Sequence, residues 1–160
     1  MDNFIILKDI PYGSHERHKL DIFIPIKPKC TSGIILFIHG GGWVQGDKSG
    51  HHHDNDFFAN SGYITATMNY RFVDENTNVY DELDDITEAL KIIKSECRKY
   101  GYNIENLLLS GGSAVSMPWL YDVKAVVNGL LSGQASGGAA FDVLTGKVNP
   151  SGKLSETYPL

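Results

Sequence analysis

Residues 34–38 read Ile-Ile-Leu-Phe-Ile, an unbroken apolar run bounded by Gly33 and Gly40. A strand with one wet face alternates polar and apolar residues, so a run without alternation predicts a strand covered on both faces, as in a parallel sheet. The neighbouring segments follow the pattern that such a strand needs. Phe4 to Ile10 and Lys19 to Ile26 are short β-branched runs around "PYGSHERH" and predict an antiparallel pair. The segment "DKSGHHHDNDFFANSG" predicts a helix ending near Gly62, and "YITATMNY" predicts a strand. Val79 to Tyr100 predicts a helix, with Leu83, Ile86, Leu90 and Ile93 at helical spacing and Gly101 as its stop, before a last strand in "NLLLSGG". The fold class expected is α/β: a three-layer α/β/α sandwich, mostly parallel sheet with an N-terminal antiparallel hairpin.

At 160 residues, 42% hydrophobic and 21% charged, the chain suits one domain, so residues 1–160 are read as a single unit. A formal charge of -5 with scattered lysines and arginines provides no basic stripe for phosphates, which argues against a nucleic-acid partner. No apolar run reaches membrane-spanning length, and "MDNFIILKDIPYG" lacks a basic region and a cleavage site, so the expectation is a cytoplasmic protein with no membrane partner. Cys30 and Cys97 lack metal-ligand or Cys-x-x-Cys spacing and are read as free thiols. His51, His52 and His53 with Asp54 and Asp56 would make a poor chelate, because adjacent helix residues point in different directions; no metal and no cofactor are expected. The acids Asp81, Glu82, Asp84 and Asp85 read as a solvated helix face whose first turn favours negative charge.

Two short motifs carry chemistry. "HGGGW", His39 to Trp43, follows the buried strand, and consecutive glycines let backbone N–H groups approach a substrate oxygen together, as in an oxyanion hole. "SGGSA" follows another strand, and a serine third in Gly-x-Ser on a strand-to-helix turn holds its hydroxyl above the sheet, which makes Ser113 the candidate nucleophile. With "LDIFIP", "GDKS", "MNYRF", "GYNIEN" and "LLLSGGSA" in order, Met1 to Ala114 resembles the N-terminal part of an α/β-hydrolase of the esterase/lipase kind related to hormone-sensitive lipase. The resemblance implies an oxyanion held by Gly41, Gly42 and the N–H of Ala114, with Ser113 attacking an ester carbonyl. The family's Gly-x-Ser-x-Gly is broken here by Val115.

In that fold the acid and then the histidine come after the serine in chain order. All six histidines, His15, His18, His39, His51, His52 and His53, precede Ser113. His39 is read as structural, holding the oxyanion turn, and the triple histidine as a solvated helix start. From about Gly112 the chain changes character: "GSAVSMPWL", "VKAVVNGLLSGQASGGAAFDVLTG" and "VNPSGKLSETYP" resemble the end of the C-terminal α/β sandwich domain of family 3 glycoside hydrolases, the β-glucosidase group. That resemblance implies a strand at Ala125 to Leu131, a helix at Gly137 to Leu144 closed near Gly146, and no catalytic role for Glu156. The chain is thus read as a hybrid, residues 1–114 hydrolase-like and 115–160 glycosidase-like. Its expected state is a folded domain without efficient catalysis. The alternatives are a weak carboxylic ester hydrolase acting through Ser113 on a small ester substrate, and a carbohydrate-binding remnant using Trp119 and Tyr121. A homodimer through an uncovered sheet edge or face is also expected.

Overall fold

A computed structural model describes residues 3–111, 142–143 and 146–149. Within them the strands are β1 (Phe4–Pro11), β2 (Lys19–Pro25), β3 (Gly33–Ile38), β4 (Ile64–Met68) and β5 (Asn106–Ser110), and the helices are α1 (His52–Asn60) and α2 (Val79–Lys99). A single 3-10 turn over Lys48–His51 leads into α1. The strands form one sheet in the order β1-β2-β4-β3-β5.

β3 lies between β4 and β5 and is parallel to both, as its sequence requires, whereas β1–β2 and β2–β4 are antiparallel. Among the described strands the sheet is therefore mixed, its antiparallel part reaching beyond the expected N-terminal hairpin to the β2–β4 pairing. The reason lies in the hairpin: β2 does not stand apart but adds its free edge to β4, so Leu20 pairs with Met68 and Phe23 with Thr65.

Successive strand side chains point to opposite faces, and in β3 both sets are buried. Ile34 and Leu36 join Ile22, Ala66 and Met68 in a cluster with Ala89, Ile93 and Cys97 of α2. Ile35 and Phe37 join Phe58 of α1 instead. The unbroken apolar run follows from this double burial. α2 begins with a capping box, in which the Asn78 side chain accepts from the first turn and the Asp81 carboxylate accepts from the Asn78 N–H, and it stops before Gly101 at φ 84°.

The acid run on α2 does not form a solvated face throughout. Glu82 and Asp85 are both buried; Asp85 is compensated by Arg71, which donates to both its oxygens, and by His18 Nε2, 3.1 Å from Asp85 Oδ1. Cys30 and Cys97 are free thiols. Among the described residues no helix is long and apolar enough to cross a membrane, and no cluster of side chains suits a metal ion. The elements expected at 125–131 and 137–144 and the tail lie outside the described residues, apart from helical positions Asp142 and Val143 and the left-handed Gly146, φ 76°, after them.

Candidate active site

β3 and β5 run side by side in the same direction, with Phe37 opposite Ser110, so both chains leave the sheet at one edge. β3 continues into His39 and the glycine turn. β5 continues into Gly111, beyond which Ser113 and Ala114 lie outside the described residues.

The turn depends on glycine where its backbone folds back on itself. Gly41 has φ 137°, and a Cβ there would sit 1.9 Å from the Gln45 carbonyl oxygen. Gly46 has φ 114°, and a Cβ would sit 2.3 Å from His39 Nδ1. Between them Gly42 (φ 61°) and Trp43 (φ 67°) are both left-handed, a conformation that is strained for a bulky residue and persists only when its surroundings enforce it. The enforcement is visible. Val44 N–H donates to the Gly41 carbonyl at 3.3 Å, and Val73 N–H, from the segment after β4, donates to the Trp43 carbonyl at 2.9 Å. Among the described residues nothing accepts from the N–H groups of Gly41, Gly42 or Trp43.

His39 occupies the base of the turn, 5% exposed and stacked on Tyr70 with ring centroids 4.4 Å apart. Tyr70 Oη donates to the His39 carbonyl at 2.8 Å. Arg17, from the loop between β1 and β2, lies 3.6 Å over the Phe72 ring, donates to the carbonyls of Tyr70 and Gly46, and places Nη2 3.3 Å from His39 Nε2. A guanidinium only donates, so Nε2 accepts, and Nδ1 donates to the Gly40 carbonyl at 2.9 Å. Burial, with the Arg17 charge adding to it, holds the His39 pKa below its usual value despite the opposing Gly40 hydrogen bond. His39 is a neutral strut with both nitrogens engaged.

The other histidines divide by what their ring nitrogens meet. His18 has Nδ1 accepting from the His15 N–H and Nε2 facing Asp85; His15 accepts from the Arg17 N–H and has no carboxylate partner among the described residues. His51 Nδ1 lies 3.0 Å from Asp54 Oδ2, with its ring stacked on Phe37 of β3. His52 Nε2 lies 2.8 Å from Asp21 Oδ2. The helix start is therefore not simply solvated, as expected from sequence: only His53 is exposed, while His51 and His52 are half-buried because each has a carboxylate partner. Both have a second ring nitrogen that meets no described hydrogen-bonding group.

A second polar cluster escaped the sequence reading. Asp21, fully buried in the middle of β2, accepts from Lys48 Nζ at 2.6 Å, from the Asp9 N–H at 2.8 Å and from His52. Burial works to raise its pKa, and these donors overcome it, leaving the carboxyl below its ordinary value. The legible signal was an acid, Asp21, within the otherwise apolar run "LDIFI".

A family model described as BD-FAE matches residues 20–117, more than half of the chain. The chain belongs to the BD-FAE family. Among curated relatives, a probable isoprenylcysteine alpha-carbonyl methylesterase of rice is 29% identical over 109 residues, covering 68% of this BD-FAE chain and 26% of the relative. The thermostable beta-glucosidase B of Acetivibrio thermocellus is 57% identical over 54 residues, 34% of the chain and 7% of the glucosidase. The chain thus spans about a quarter of the one relative and a small fraction of the other. Among solved structures, esterase B of Lactobacillus rhamnosis superposes with a TM-score of 0.62 at 21% identity over 91% of this chain and 57% of that one, a likeness of fold. An esterase-like segment and a β-glucosidase-like segment are joined in one polypeptide, as the two sets of motifs imply. The BD-FAE match takes in Asp21, the glycine turn, Lys48 and the Gly-x-Ser motif.

Proposed function

We propose that the chain is a single hybrid domain of the α/β-hydrolase kind, a three-layer sandwich that keeps an oxyanion-type turn at Gly41 and Gly42 but lacks efficient catalysis. Residues 1–114 supply the hydrolase-like part and 115–160 the part like family 3 glycoside hydrolases. Alternate β3 side chains packing against α1 and against α2 support the three layers. The observation that carries the functional reading is the fate of the histidines. None follows Ser113 in the 160 residues, and His39, the one adjoining the turn in sequence, has both nitrogens committed. A serine hydroxyl without a base is a weak nucleophile. An oxyanion hole alone sustains roughly 10³-fold to 10⁴-fold acceleration over water.

A second reading, a weak carboxylic ester hydrolase acting through Ser113, is favoured by the two carboxylate–imidazole pairs, Asp54–His51 and Asp21–His52. Of these, His51 stacks on the strand adjacent to β5. Hydrolysis of p-nitrophenyl acetate by the wild type, by Ser113→Ala and by the His51/His52/His53 triple alanine variant separates the readings. Equal slow rates in all three are expected. A loss of rate in both variants would establish the weak esterase instead.

A further inference from the structure

We propose that Lys48 is a positioning residue for the glycine turn, fixed by the buried carboxylate of Asp21 and the left-handed Asp9; this rests on reading Gly41 and Gly42 as the oxyanion hole. The turn leaves β3 at His39, and its far side is held by hydrogen bonds rather than by buried side chains, from Val73 to the Trp43 carbonyl and from Arg17 to the Gly46 carbonyl. Residues 42–47 are all exposed, and the first buried side chain after them is a lysine.

That lysine is held through its backbone and its head group together. The Lys48 N–H donates to Asn69 Oδ1 at 2.6 Å, its carbonyl accepts from Thr67 Oγ1 at 3.1 Å, and Nζ reaches Asp21 at 2.6 Å and Asp9 Oδ1 at 3.0 Å. Asn69 also donates to Asp47 Oδ2 at 2.8 Å. β1 contributes by breaking its own regularity: its register with β2 shifts between Leu7 and Ile10, and Asp9 takes φ 54° there. The shift turns the Asp9 N–H toward Asp21 Oδ1 and its carboxylate toward Lys48. A bulge with a left-handed residue is a feature retained for what it aims.

From Lys48 the path back to the turn is short, two residues to Gly46 and three to Gln45. Gly46 lies against His39 and the Gly40 carbonyl, and the Gln45 carbonyl occupies the space a Gly41 side chain would need. A displacement of Lys48 would be passed to Gln45 and Gly46, which pack close to the backbone of Gly41, Gly40 and His39, and so to the turn itself. An apolar side chain would fill the same volume without defining one position. A buried charged pair defines it, since its geometry fails if either partner shifts.

The test uses ¹H–¹⁵N spectra of the full chain for wild type, Lys48→Met and Asp9→Asn, with p-nitrophenyl acetate hydrolysis alongside. Asn accepts a left-handed backbone, and Asp9 is an exposed residue, so Asp9→Asn keeps the fold testable where Lys48→Met does not fold. The expected result is displaced amide resonances for Gly41, Gly42 and Trp43, smaller in Asp9→Asn, with Ala89 and Ile93 of α2 unmoved. Where the wild type turns over ester above background, kcat falls about 10²-fold in Lys48→Met with KM unchanged. Unmoved turn amides in every folded variant, or shifts spread equally into α2, would overturn the positioning role. Absence of turnover in the wild type would count against the oxyanion reading alone and leave the amide test to decide.

Discussion

Glu82 is 6% exposed and its Oε1 finds no hydrogen-bond partner among the described residues. Burial first, and the Asp85 charge second, raise its pKa from 4.5 to about 7. A carboxyl that binds its proton more tightly when folded stabilises the fold fully below its unfolded pKa, and that contribution is lost as pH rises through the folded one. Stability should therefore fall between about pH 4.5 and 7, by roughly 1–2 kcal/mol once screening by nearby water is allowed for. Urea unfolding at pH 5 and pH 8 should show this fall in the wild type and its loss in Glu82→Gln; equal slopes in the two proteins would contradict it. Asp21 works in the opposite sense, because its lowered pKa gives stability that is lost only as pH drops below the ordinary carboxylate range.

At the scale of elements, α2 shows what the sequence can and cannot specify. Its span, its stop and its apolar stripe were readable because Leu83, Ile86, Leu90 and Ile93 recur at the helical period, a property local to the segment. Its cap is local too. Asn78→Ala should cost about 1 kcal/mol, with Asn78→Ser recovering most of it in urea unfolding, since either side chain can accept from the first turn. The burial of Glu82 and Asp85 could not be read in the same way. That of Asp85 goes with Arg71 from beyond β4 and His18 from the hairpin, partners that only tertiary structure brings to α2. The same limit hid the Lys48–Asp21 pair, whose members are 27 residues apart, and the antiparallel docking of β2 on β4. At the candidate site the glycine turn was legible from the motif His39 to Trp43 at the end of a buried strand, and His39 was read as structural from its place beside that turn.

For the whole molecule, β1 is an outer strand of the described sheet, with Ile5 40% and Ile6 38% exposed. An apolar outer strand invites pairing with a second copy. We propose a homodimer through this edge or its adjoining face: sedimentation should give a concentration-dependent dimer for the wild type and a monomer for Ile6→Lys, while a wild-type monomer at every concentration would exclude it. The hairpin that carries this edge also carries Arg17, whose acceptor on Tyr70 lies 53 residues further along the chain. During synthesis these two strands thus leave the ribosome well before β4 and Tyr70, against which they dock. Until β4 follows them, the guanidinium has no seat on Tyr70 and β2 lacks its partner β4, so the hairpin must wait for a later segment before it can settle.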